Sequence, residues 1–303
     1  MKVSVIVCTY NREDYILDAL MSLKDQSADY SNYEVLLIDN NSNDRTPLIC
    51  MQFAQQKGSL NYHYYKEPKQ GLSHARNRGI ELATGEIIAF IDDDAVASKH
   101  YIQEIIAFFN ENEQVGAIGG RIFPKYETQK PVWMPNQLTP LFSIIDLGEK
   151  NIPFKSGKYP VGANMAFRKS VFNTCGNFNI ALGRTGKNML GGEEKDIFYR
   201  IISHSILVWY AAKPWVYHLV PQSRTTKIFI KQQAIGVGQS ERLRTTTSVK
   251  QRLLSITKEL LKWLATFVLC LHNVLLLSPR KAAMLIAFRW WVSGGLLNIY
   301  KVR

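Results

Sequence analysis

Three short runs in this chain are apolar almost without a break: VSVIVC (3–8), YEVLLID (33–39) and EIIAFID (86–92). A strand with one wet face alternates polar and apolar residues, whereas an unbroken run implies a strand covered on both faces. Two further segments, YHYYKE (62–67) and GAIGGRIF (116–123), read as strands as well. Between the strands lie stretches with helical spacing, such as Ile16, Leu20 and Leu23. This alternation predicts an α/β fold, a mostly parallel sheet flanked by helices. Helix starts are expected at Asn11, with Asp14 three residues on, and at Thr46-Pro47. Ser73 and Ser98 are expected to cap the next two helices.

The chain divides into three stretches on this reading. Residues 1–123 form one half of a domain, and residues 124–225 form its second half. Residues 226–303 form a basic, apolar helical tail. The connection 124–160 is rich in Pro and aromatics and reads as irregular, and a helix is expected over 193–203. With 46% hydrophobic residues in 303, the chain can bury a sizeable core.

Charge is distributed unevenly. Residues 222–303 carry 14 of the 37 Lys and Arg, against only Glu241 and Glu259, which accounts for the entire net charge of +12. A basic balance can indicate nucleic acid. Here it coincides with two apolar helical patterns, 260–277 and 282–300, so a membrane surface is the expected partner and nucleic acid is not. Lys262 and Arg289 interrupt those patterns, which favours helices lying in the headgroup boundary over helices that cross it. Pairing of two chains is the other use for such a hairpin. The apolar start is too short for a signal peptide. The four cysteines have no CxxC spacing and read as reduced thiols.

In an open parallel sheet, ligands bind beyond the carboxyl ends of the strands. That rule gathers CTYNR (8–12), DNNSNDRT (39–46) and the Asp92-Asp93-Asp94 triplet into one crevice. There is no GxGxxG after the first strand and no GxxxxGK[ST] anywhere, so a dinucleotide redox site and a P-loop are disfavoured. A hard divalent cation such as Mg²⁺ or Mn²⁺, held by aspartates, would neutralise a phosphate instead. It would also relieve the repulsion within the triplet. Taken alone, an acidic triplet is as readily a solvated loop.

As an ordered set, VSVIVCTYNR, VLLIDNNSNDRT, GLSHARNRGIELATGEIIAFIDDD and GANMAFRKSVF…LGGEEKDIFYRI resemble the motifs of family 2 glycosyltransferases over roughly residues 1–225. The resemblance implies a GT-A fold, inverting sugar transfer and a nucleotide-diphosphate sugar donor, most often of uridine. It implies a base and ribose pocket at Thr9 and Tyr10, extended by Asn11, Arg12 and Asn41 in the same loops. Asp39 would accept a hydrogen bond from the nucleobase, and Arg76 would lie near the nucleotide with Asp93. Asp92 would face the ribose, and Asp94 would be the main metal ligand, with Asp92 and the later His218 completing the site. The family's usual Glu-Asp pair is Glu193-Glu194 here. Glu194 therefore takes the position of the catalytic base, with Glu193 and Asp196 as substitutes. Asn164 would contact the donor sugar. Apart from the resemblance, Trp133 and the aromatics around it read equally as a stacking surface for a sugar ring or as buried packing. The acceptor would be a saccharide or lipid-linked glycan, with the enzyme peripheral on the cytoplasmic face of the membrane. Two other readings remain open: a nucleotidyltransferase that makes nucleotide sugars, and a non-catalytic nucleotide-sugar binder.

Overall fold

The structure, a computed structural model, describes residues 1–155, 157–186, 191–246 and 248–300. Leu190, in the acidic motif quoted above, lies outside them. The chain forms two compact units. The first comprises Met1–Lys125, Ser143–Gly186 and Glu193–Leu219, and the second contains Tyr126–Phe142 and the chain from Val220.

The first unit is built on one sheet. In chain order its elements are β1 (Val3–Thr9), α1 (Ile16–Lys24), β2 (Tyr33–Asp39), α2 (Thr46–Gln56), β3 (Tyr62–Lys66) and α3 (Leu72–Leu82). Then come β4 (Ile87–Asp92), β5 (Ala95–Ala97), α4 (Tyr101–Glu111) and β6 (Val115–Tyr126), followed by β7 (Ile152–Pro153), β8 (Asn164–Arg168), α5 (Ser170–Cys175), α6 (Glu193–Ser203) and β9 (Leu207–Val220). The strand order is β3-β2-β1-β4-β8-β6-β9-β5, with β7 beside β9. The first four strands in that order are parallel. β8 runs antiparallel to β4 and β6, and β9 runs antiparallel to β5 and β7.

The unbroken apolar runs are sandwiched as expected. Val3, Val5, Val7, Val35, Leu37, Ile87 and Ala89 face one side, where Ile16 and Leu20 of α1, Phe53 of α2 and Ile105 of α4 cover them. Ile6, Leu36, Ile38, Ile88 and Phe90 face the other, against Ala75 and Ile80 of α3, Phe172 of α5 and Phe198 of α6. Two-residue periodicity persists inside an all-apolar run; it only sorts residues between two dry faces. The four cysteines are free thiols.

Three expected helix starts shift. Asn11 does not cap α1: its backbone is left-handed (φ 53°) and the helix begins at Ile16. Ser73 lies inside α3, and its hydroxyl donates to Leu182 O at 2.7 Å. Ser98 offers only its backbone carbonyl to Tyr101 N ahead of α4. For Asn11 and Ser73 a tertiary partner outcompeted the local cap. Thr46 and Pro47 do open α2, and α6 spans the expected 193–203.

The second unit carries α7 (Lys227–Arg244), α8 (Val249–Leu275) and α9 (Pro279–Leu296). Thr226 caps α7 and Ser248 caps α8, each accepting from the amide three residues on. No described helix is long and apolar enough to cross a membrane. Trp133 sits under the Lys227 ammonium, 5.8 Å from its ring centroid.

α3 lies tight on β1. A Cβ added at Gly79 would stand 2.5 Å from Ile6 Cγ2. Gly79→Ala is therefore expected to destabilise by about 1–3 kcal/mol through overpacking. Combined with Ile6→Ala, the penalties should fall short of additivity by at least about 0.5 kcal/mol, measured by urea denaturation of the double-mutant cycle.

Candidate active site

The chain leaves β1 toward β2 and β3, then returns to β4 on the opposite side of β1. The loops after β1 and β4 diverge there, which opens a crevice at the carboxyl end of the sheet. Register sets Thr9 level with Asp39 and Cys8 level with Asp92. The polar clusters that follow these strands thus meet at one edge.

The loops after β1 and β2 are stitched together. Asn11 N donates to Ser42 Oγ at 3.0 Å, Asn11 Oδ1 accepts from Asn43 N at 2.9 Å, and Arg12 N donates to Thr46 Oγ1 at 2.8 Å. Asn41 is left-handed, with φ 66°. Asp39 is fully buried; its Oδ1 accepts from Ser42 N (2.9 Å) and its Oδ2 from the Tyr64 hydroxyl (2.7 Å). Thr9 is buried and Tyr10 half-buried beside them.

The aspartate triplet occupies the tight turn between β4 and β5. β5 pairs with β9 so that Ala95 lies opposite His218. This pairing delivers the histidine to the turn. His218 Nε2 stands 3.0 Å from Asp94 Oδ1 and 3.8 Å from Asp92 Oδ2. One ligand atom from each of the three residues lies within 4.8 Å of the others. Two carboxylate oxygens and an imidazole nitrogen suit a Mn²⁺- or Mg²⁺-type cation, with remaining positions for phosphate and water. His218 and Asp94 are buried while Asp92 is partly open, so the donor set faces inward on one side and toward solvent on the other. Asp93 is turned away, with its Oδ1 3.3 Å from Arg12 Nε. Burial raises its pKa against the pull of Arg12, and Asp94 and Asp92 add to the rise.

A second acidic group closes the crevice. α6 begins with Glu193 and Glu194, and both reach Arg76 of α3. Arg76 Nη1 donates to Glu193 Oε1 at 2.9 Å, and Nη2 donates to Glu194 Oε1 at 3.0 Å. The backbone N–H of Gly162 also donates to Glu194 Oε1, at 2.9 Å. Gly162 must be glycine: a Cβ there would lie 2.1 Å from Arg76 Nη2 and 2.3 Å from Glu194 Oε1. Burial opposes the Arg76 charge, but Glu194 and then Glu193 outweigh it, and the guanidinium is held well above its ordinary range. Burial pushes the Glu194 carboxyl up to about 7; Arg76 pulls down, while Glu193 and Asp92 add to the rise. Burial also drives the Cys8 thiol in the crevice wall up to about 12, so it is no nucleophile at neutral pH.

The structure thus brings together Thr9, Asn11, Arg12, Asp39, Asp92, Asp93, Asp94, His218, Arg76, Glu193 and Glu194. Asp196 sits one turn along α6 and pairs with Arg200 at 3.0 Å. Arg76, expected at the nucleotide, spends its two terminal nitrogens on the acids. Asn164 is a correction: its amide donates to Arg121 O and Pro214 O, tying β8 into the sheet, not toward a sugar. Sequence reasoning passed over Gly162 as a donor, because nothing local links it to Glu194 across 32 residues.

Comparisons with known proteins bear on the family and the fold. The family model for glycosyl transferase family 2 matches residues 4–176. A glucosyl-dolichyl phosphate glucuronosyltransferase of Haloferax volcanii is 25% identical over 248 residues, covering 80% of this chain and 77% of the relative. The minor teichoic acid biosynthesis protein GgaB of Bacillus subtilis is 34% identical over 110 residues, which is 36% of this chain but only 12% of that protein. Among solved structures, a mannosyltransferase from Pyrobaculum calidifontis in complex with GDP-Man and Mn²⁺ superposes with a TM-score of 0.64 at 17% identity, over 99% of this chain and 88% of that one. S. aureus TarS in complex with UDP-GlcNAc gives 0.58 at 18% identity, over 100% and 93%. These likenesses establish the GT-A fold.

Arg76→Met would leave the buried Glu193 and the partly buried Glu194 side by side without their counter-ion, at a cost of about 3–5 kcal/mol at pH 8. The sign with pH follows from Glu194. Its folded pKa lies above its unfolded value, so ionising it costs stability as pH rises through about 7. The Arg76→Met deficit should therefore shrink toward pH 5, as read by urea unfolding at both pH values.

Proposed function

This chain belongs to glycosyl transferase family 2, and we propose that it is an inverting transferase that moves a sugar from a uridine-diphosphate donor to a saccharide or lipid-linked acceptor. The observation that carries the reading is the meeting, at one sheet edge, of a cation-type donor trio with a carboxylate poised near neutrality. A relative named for a dolichyl phosphate substrate supports a lipid-linked acceptor in surface glycan synthesis at the cytoplasmic face of a membrane.

The donor's base and ribose are assigned to Thr9, Tyr10, Asn11, Asp39 and Asn41, and Asp92 is the carboxylate nearest the ribose. Arg12 keeps Asp93 out of the donor set, which leaves Asp92, Asp94 and His218 to hold a divalent cation. Such a cation, when bound, would supply positive charge against the leaving diphosphate.

Glu194 is assigned as the general base. Both hydrogen bonds to Glu194 among the described residues end on Oε1, which leaves Oε2 to accept a proton. The acceptor hydroxyl passes its proton to Oε2 as its oxygen bonds to the anomeric carbon. The bond from that carbon to the diphosphate oxygen breaks on the opposite face, and the nucleoside diphosphate leaves with the electron pair. A base with a pKa near the working pH is the efficient choice. Glu193 is shut in the interior, with 5% of its side chain exposed against 21% for Glu194, and Asp196 is held by Arg200. Both observations favour Glu194.

Three outcomes are expected. Glu194→Gln should cut turnover by about a hundredfold or more while leaving donor binding intact. The rate should rise with pH through a limb near 7, because Glu194 must be ionised to accept the proton. A thermal-shift panel of nucleotide sugars should respond selectively to uridine donors with Mn²⁺, and Asp94→Ala should abolish that metal-dependent response. Pyrophosphate as the released product, in place of nucleoside diphosphate, would reject transfer.

A further inference from the structure

The C-terminal helices are built with inverted polarity. On α8 the buried positions are Ser255, Glu259, Thr266, Cys270 and Asn273. They recur at spacings of three, four or seven, so they share one face. On that face Glu259 takes both carboxylate oxygens to Arg289 Nη1 of α9, each at 3.2 Å. Ser293 Oγ donates to Glu259 Oε1 at 3.0 Å and accepts from Trp263 Nε1 at 3.0 Å. The polar groups thus point inward, into the α8–α9 seam.

The opposite face is apolar and bare. Leu253, Leu260, Leu264, Phe267, Leu271 and Leu275 form a helical stripe, each at least 55% exposed. The stripe continues into Leu277 at the hairpin tip, 90% exposed and followed by Arg280 and Lys281. A run this long is far more than the scattered single residues that soluble surfaces tolerate.

Two occupants would suit such a stripe, and charge separates them. Residues 222–303 carry the chain's whole +12, and their two acids, Glu241 and Glu259, are both in ion pairs. A second copy laid on this face would bring like charge against like charge. An anionic lipid surface offers the opposite sign together with an apolar layer beneath it. The apolar residues occupy one face only, and Lys258 and Lys262 stand in mid-helix, as in helices that lie in the plane of the interface.

We infer that α8 docks on an anionic bilayer through Leu253–Leu275, its stripe immersed at the headgroup–acyl boundary and the Glu259–Arg289 pair holding its polar face inward. This deepens the proposed membrane-facing role, and it is read without donor or acceptor, so its failure is distinguishable from failure of the transfer reading.

The test is vesicle flotation of the full chain. Phosphatidylcholine vesicles mixed with phosphatidylglycerol should bind the chain, phosphatidylcholine alone should bind weakly, and salt should weaken the binding. Leu264→Glu with Phe267→Glu should lower vesicle affinity roughly tenfold or more with an unchanged circular-dichroism melt, since both side chains are exposed. Lys258→Glu with Arg280→Glu is the second variant and should remove the preference for anionic vesicles. Absence of binding to either vesicle, or binding that neither variant alters, overturns the inference. So does a lipid-free dimer that Leu264→Glu with Phe267→Glu dissolves while wild type ignores vesicles.

Discussion

The Arg76 guanidinium between Glu193 and Glu194 is the contact on which the catalytic edge depends. It joins α3 to the first turn of α6, two elements separated by more than a hundred residues of chain. It also neutralises two carboxylates that would otherwise be buried side by side. An uncompensated buried ion costs several kcal/mol, against a whole-domain stability of about 5–15. Arg76 thus offsets a cost that would otherwise take a large share of that stability.

The same logic runs through the rest of the crevice. Six acids crowd the end of one sheet, and arginines hold three of them. Arg12 takes Asp93, Arg76 takes Glu193 and Glu194, and His218 stands against Asp92 and Asp94. The pairings are unequal, and that inequality separates roles. Glu193 is shut inside the protein, with 5% of its side chain exposed against 21% for Glu194. Glu194 is the more open of the two, and its carboxyl is pushed up to about 7, where proton transfer is most useful. The aspartate–histidine trio is a set of ligand atoms suited to a cation.

The C-terminal helices obey the opposite distribution. In the first unit, apolar side chains fill both faces of the sheet and charges gather at its edge. In α8, an ion pair and hydroxyls fill the seam while leucines face outward. A water-soluble helix hides its apolar stripe, so this inversion carries information about its surroundings rather than about its stability alone.

What the sequence determined by itself was whatever depends on local pattern and chain order. Unbroken apolar runs marked β1, β2 and β4, and the polar residues that end them marked the crevice, because side-chain alternation and strand ends are properties of neighbouring residues. The acidic start of α6 and the three aspartates were legible for the same reason, as was the charge of the tail. Tertiary structure decided who meets whom. Ser73 and Ser98 lost their capping roles, Asn164 turned into the sheet, and Arg76 turned to the acids. Gly162 became a donor to Glu194, and β5 lifted His218 to the aspartates. Each of these is a contact between residues far apart in the chain. Its energy is set by burial and distance in the folded state, and no local spacing encodes either.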